Sequence, residues 1–210
     1  MNAFTAPPSE GGDFERVEPG MHPAQCSGMF DRGSHFNEKS QKFSRKITLI
    51  FNLSTLDSEG KHFEMFSNYT FSMFEGSYLR KAIESWFGKR FDSNEDAAAF
   101  DLSKLLTRKA YLNVVHNTSG NSTYANIETI VPLPPAMKQS ETFPAIENPL
   151  LFSLDAFDQV MFNRLPDKIK EKIQQCQEWG AIGAEASASV PAQSGDNSEF
   201  VDDFIDDIPF

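Results

Sequence analysis

The sequence predicts a mainly β fold: a small five-stranded barrel with one helix between its third and fourth strands, then a helical appendage and a disordered acidic tail. Three observations carry this. Two stretches, Arg45–Leu53 and Phe63–Met73, alternate apolar and polar residues with the period of a strand. A capped amphipathic helix, Tyr78–Phe87, falls between two groups of such stretches. Charge is split sharply along the chain. Residues 1–172 hold all 19 basic residues together with 22 acids, whereas Ile173–Phe210 holds eight acids and no Lys or Arg.

Residues 1–18 mix Pro, Gly and acids without periodicity and read as a mobile arm. Met21–Phe30 is the first strand, with His22, Ala24, Cys26 and Gly28 on one side. Asp31–Ser44 is polar, contains Gly33 and three Ser, and reads as a long loop. The second strand, Arg45–Leu53, turns Ile47, Leu49, Phe51 and Leu53 to one face and Lys46, Thr48 and Asn52 to the other. Asp57–Gly60 is a turn. The third strand, Phe63–Met73, points Phe63, Met65, Tyr69, Phe71 and Met73 inward. Ser77 is an N-cap for the helix, whose Leu79, Ile83 and Trp86 recur at i, i+4 and i+7; Gly88 ends it. A shorter helix follows Asp101 over Leu102–Leu106. Lys109–His116 is the fourth strand, Asn117–Ser122 a hairpin loop around Gly120, and Tyr124–Val131 the fifth strand, halted by Pro132, Pro134 and Pro135.

Three strands, a helix and two strands is the element order of the OB-fold, a five-stranded Greek-key barrel in which the helix plugs one end. Its ligands lie across strands two and three and the loops joining strands one to two and four to five. Here those loops are Asp31–Ser44 and Asn117–Ser122. Beyond the barrel (19–135) come a connector and helical appendage (136–180). A Pro-rich connector, Pro132–Pro149, leads out of the barrel, and Leu150–Phe162 is apolar. Leu165-Pro166-Asp167 opens a helix with Pro in its first turn, and Ile169, Ile173, Cys176 and Trp179 form one face. Such a face docks on the barrel or on a second subunit. The tail, 181–210, has too few apolar residues and too many acids to offset its ordering entropy.

The net charge of −11 belongs mostly to the tail, since Gly20–Val131 carries 13 basic and 12 acidic residues. The two cysteines, Cys26 and Cys176, lie far apart and are expected as buried thiols in a reducing compartment. With a polar N-terminus and no long apolar run, the expectation is a cytoplasmic protein without a membrane segment. His22, His35, His62 and His116 lack metal-type spacing. With no nucleophile triad, phosphate loop or paired carboxylates either, neither an enzyme nor a cofactor is expected.

Binding to single strands without sequence preference needs cations for phosphates and flat faces for bases. The first loop and second strand supply both: Arg32, Lys39, Lys42, Arg45 and Lys46, interleaved with Phe36 and Phe43. Either Phe can instead anchor its loop on the barrel rim. Phe66 shares the polar face of strand three with Glu64, Asn68 and Thr70; a bulge would turn it into the core. Tyr111 is outward on strand four, and Tyr124 opens strand five at the second loop. Lys61 edges the turn before strand three. Arg80 and Lys81 read as the solvated side of the helix.

The last nine residues, Asp202-Asp203-Phe204-Ile205-Asp206-Asp207-Ile208-Pro209-Phe210, set four carboxylates among bulky apolar residues. The closing Asp206-Asp207-Ile208-Pro209-Phe210 resembles the acidic C-terminal tip of bacterial single-stranded-DNA-binding proteins. The body is similar to the OB-fold single-stranded-DNA-binding proteins of tailed phages. That likeness rests on Glu18–Cys26, Ser77–Trp86, Leu112–His116, Tyr124–Ile127 and Leu165–Lys170, and spans roughly Glu18 to Trp179. The resemblance implies single-strand binding in phage DNA replication or recombination, in the host cytoplasm. It also implies that Asp202, Asp203, Phe204, Asp206, Asp207, Ile208, Pro209 and Phe210 call in replication proteins: a polymerase, helicase-primase or nuclease. Two alternatives stay open: an interaction adaptor whose tail recruits a host factor, and a strand-annealing recombination protein.

Overall fold

A computed structural model describes residues 15–120, 122–137 and 142–186. Five strands run antiparallel: β1 (Gly20–Asn37), β2 (Lys42–Leu56), β3 (His62–Thr70), β4 (Lys109–Ser119) and β5 (Ser122–Pro132). They form an open sheet in the order β3-β2-β1-β4-β5, and β6 (Leu150–Phe152) adds parallel to β1. Bulges between Cys26 and Gly28 and between Asp31 and Gly33 bend β1. Its first half pairs with β4 and its second half with β2. β3 and β5 approach each other without pairing among the described residues, and α1 (Tyr78–Phe87) touches both.

The local signals for α1 work as its sequence predicts. Ser77 Oγ accepts the Arg80 amide, and Gly88, with φ 64°, closes the helix in the left-handed region that costs a Gly nothing. Leu79, Ile83 and Trp86 are buried in the main core with Ile47, Leu49, Phe51 and Leu53 of β2. The Trp86 ring lies 5.4 Å from Phe51, and its Nε1 donates to the Lys109 carbonyl at 2.9 Å. Asp57 holds its turn by accepting the amides of Glu59 and Lys61 on Oδ1. A short helix, α2 (Asn94–Ala98), capped by Ser93, is an addition to the expected elements; Asp101 caps a 3₁₀ turn over Leu102–Leu105.

Four expectations are corrected. Asp31–Ser44 is not a long loop: β1 and β2 continue as a hairpin arm to a turn at Glu38–Gln41, because Phe36 and Phe43 pair across it. Glu15–Glu18 does not belong to a mobile arm. Val17 is buried in the main core, and its carbonyl accepts from His116 Nε2 at 2.7 Å. Phe71 lies past the end of β3 and is exposed rather than inward. Arg80 is buried rather than solvated, donating to Glu84 at 2.9 Å and Asn94 at 2.7 Å.

The other side of β1–β3 carries a second core. Phe30, Ile50 and the half-buried Phe66 meet Phe152, Leu154, Phe162, Leu165, Ile169, Ile173 and Cys176, with Trp179 stacked on Phe162 at 5.1 Å. The last part of the chain supplies this layer through β6, α3 (Gln159–Asn163), α4 (Asp167–Gln174) and the start of α5 (Trp179–Ala186). The amphipathic face expected at Ile169, Ile173, Cys176 and Trp179 therefore docks on the sheet. Glu178 locks the end of this layer to the arm. Its carboxylate accepts from the Ser34 amide at 2.8 Å and from the Ser34 hydroxyl at 2.6 Å.

Candidate functional site

The hairpin arm gathers the largest share of the predicted site residues. Asn37 and Lys42 form its last pair, Phe36 faces Phe43, His35 faces Ser44, and Ser34 faces Arg45. Phe36 is 49% exposed and Phe43 55%, with ring centroids 5.3 Å apart in an edge-on pair. A directly opposed aromatic pair stabilises an antiparallel ribbon. Here it also sets two rings edge to face while leaving half of their surface to solvent. Ser40 donates its amide to Asn37 Oδ1 at 3.0 Å, and Gln41 adopts φ 53° to close the turn. Lys39 and Lys42 are exposed at this tip. Lys46, half-buried, reaches Thr70 Oγ1 at 3.4 Å.

Two of the predicted cations serve the structure instead. Arg32 is buried and donates to Asn68 Oδ1 at 3.5 Å, an oxygen that also accepts from Thr48 Oγ1 at 2.6 Å. Arg45 is claimed by two carboxylates: it pairs with the buried Asp31 and with Asp155 at 2.9 Å. The Asp31 hydrogen bonds hold the Arg45 proton more tightly than usual despite partial burial. Asp31 also accepts the amides of Gly33 and Leu154, so the pair knits the arm's root to the appendage.

The remaining predicted residues lie elsewhere. Lys61 sits in the β2–β3 turn, paired with Glu59 at 2.8 Å. Tyr111, half-buried, stands opposite Pro23 and Val131; Tyr124 stands opposite Asn117 on the β4–β5 hairpin. By register, this second hairpin and the arm leave opposite ends of β1. Phe66 is not an open stacking face. It lines a groove of about 390 Å³ with Phe30, Ile50, Asn52 and Leu150, roofed by residues 145–148 and Arg164. The appendage thus covers much of the sheet face on which Phe66 was expected to offer itself. Of the disordered tail expected over 181–210, residues 181–186 belong instead to α5, and residues 187–210, Asp202–Phe210 among them, lie outside the described residues.

Sequence reasoning missed a second aromatic group. Phe74 is 75% exposed and Tyr78 68%, both at the connection from β3 to α1, beside the exposed Phe71. Arg45 lies over the Phe71 ring at 5.5 Å, and Lys81 Nζ over the Tyr78 ring at 5.6 Å. The available signal was the density of rings in Phe71-Ser-Met-Phe-Glu-Gly-Ser-Tyr78, too many for one short connection to bury.

Neither thiol is poised for chemistry. Burial pushes Cys26 up to about 12 and raises Cys176 as well. His22, His35, His62 and His116 each lie within hydrogen-bond distance of a backbone carbonyl. No helix among the described residues is long and apolar enough to cross a membrane. Exposed rings beside exposed lysines suit a ligand that is flat, apolar and negatively charged at intervals. No known protein family and no curated protein matches the sequence.

Proposed function

We propose that this chain binds single-stranded DNA without sequence preference, through the β1–β2 arm, as an OB-type protein of phage replication or recombination. One observation carries the proposal: Phe36 and Phe43 meet as an exposed, edge-on pair near the end of an arm whose tip bears Lys39 and Lys42. Bases stack on such rings whatever their identity, and lysines follow the phosphates. An adaptor that used its sheet only as a scaffold would have no need of this pairing. The OB assignment is supported by the strand order, by the position of α1 between β3 and β4, and by the contact of that helix with both β3 and β5. Because the appendage covers the outer side of β1–β3, the strand runs along the arm rather than across β2 and β3.

The acidic tip then acts as a tethered ligand. Carried on the same chain, the tip competes for the arm's cations at high effective concentration. Phe210 and its neighbours recruit a replication partner. A gel-shift titration with single-stranded DNA, duplex DNA and RNA at two salt concentrations tests the proposal. Single-strand binding should fall markedly as salt rises, because neutralised phosphates release counterions. Deleting Asp202–Phe210 should strengthen that binding most at low salt. Equal affinity for duplex and single strand would overturn the assignment, and no binding at low salt would favour the adaptor.

A further inference from the structure

We infer that Phe71, Phe74 and Tyr78 form a second stacking platform for the same single strand, separate from the arm and joined to it through Arg45; this rests on the function proposed above. Three observations place the platform. First, the rings are exposed in spite of lying beside a well-filled core that takes in Tyr69, Met73 and Leu79 on either side of them. Exposed apolar surface concentrated in one eight-residue stretch is what a binding surface shows and a monomer's solvated face does not. Second, two of the rings carry a cation: Arg45, itself paired with Asp31 and Asp155, over Phe71 at 5.5 Å, and the exposed Lys81 over Tyr78 at 5.6 Å. Glu75 is the one acid in the stretch.

Third, the platform continues the arm. Arg45 follows Phe43 by two residues on β2, about 7 Å along the strand. The Phe71 amide then donates to the Arg45 carbonyl at 2.7 Å, which seats Phe71 directly beside it. The chain turns through Ser72, whose carbonyl accepts the Ser77 hydroxyl at 2.6 Å, and the Ser77 amide donates to the Phe74 carbonyl at 3.0 Å. This fixed turn presents Phe74 outward and starts α1 at Tyr78, with no acid in the helix's first turn to repel a phosphate. Rings, the Lys81 ammonium and a helix N-terminus in succession match a polyanion with flat faces. An apolar peptide would gain nothing from Lys81 or the helix N-terminus, and the run of three rings suits successive bases, so a nucleic-acid strand is the occupant proposed.

Fluorescence anisotropy with labelled oligothymidylates from about 4 to about 16 nucleotides separates the two platforms. The full-length protein is compared with the double variant Phe74→Ala/Tyr78→Ala and, as a second arm, with Phe36→Ala/Phe43→Ala. Circular dichroism melts confirm that each folds, as expected for exposed rings. The Phe74/Tyr78 variant should bind the longest oligomer about tenfold or more weakly, with little change for the shortest, so that affinity stops rising at a shorter length. Wild-type affinity at every length, with the Phe36/Phe43 variant impaired, would overturn the platform and leave the arm intact. Equal losses at all lengths would make these rings part of the arm's own contact and overturn a separate platform. If affinity is unchanged but self-association in sedimentation falls, the patch joins two copies of the chain. If the wild-type protein binds none of the oligomers, both proposals fail together.

Discussion

Single residues divide into those the fold spends on packing and those it leaves outside. Trp86 belongs wholly to the first group, with no exposed surface, a filled environment and its one polar atom bonded to the Lys109 carbonyl. Trp86→Ala should cost on the order of 3–5 kcal/mol in a denaturant melt; a small change would place the indole in a binding role instead. Glu178 gives a pH dependence. Burial raises its carboxyl, but the Ser34 hydroxyl and amide outweigh that and bring it down to about 2. A carboxyl lowered in the folded state adds stability that is complete above its unfolded value of about 4.3 and fades as pH falls toward about 2. Thermal melts of Glu178→Gln and wild type should therefore differ at neutral pH and converge in acid. A constant difference down to the lowest pH would show that the Ser34 clamp contributes nothing through ionisation.

At the level of elements, the helix α1, the turn at Asp57 and the inward face of β2 were legible because each depends on neighbours close in sequence. A cap, a Gly, or a period of two is visible without knowing the rest of the fold. The arm was not legible. Its strands bear polar residues on both faces, so no alternation marks them, and only the cross-strand meeting of Phe36 and Phe43 shows that the ribbon continues. The same gap hid the partners of Arg32 and Arg45. Their positive charge was plain, but Asn68, Asp31 and Asp155, which occupy them, come from other elements. Gly33 marks the junction of arm and appendage. It has φ 78°, and a Cβ there would overlap the Cys176 side chain. Gly33→Ala should destabilise the protein by about 1–3 kcal/mol through overpacking, with left-handed strain added. A melting temperature equal to that of wild type would mean that the appendage is free to shift away from the arm.

For the molecule as a whole, charge and layering decide where a ligand can go. The body from Gly20 to Val131 is nearly neutral, and the net −11 comes largely from the acids beyond Ile173. The appendage closes one side of the sheet with its own core, and among the described residues the most exposed rings lie on the arm and at the β3–α1 connection, each beside cations. This makes the arm the point on which the functional account stands. The most direct test is a paired titration of wild-type protein and Phe36→Ala/Phe43→Ala with single-stranded and duplex DNA at low salt, melting temperatures measured alongside. Wild type should prefer the single strand, and the double variant should lose about 1–3 kcal/mol per stacked base of single-strand affinity while melting close to wild type. A variant that binds the single strand as tightly as wild type, or a wild-type protein that binds both forms equally, would contradict it.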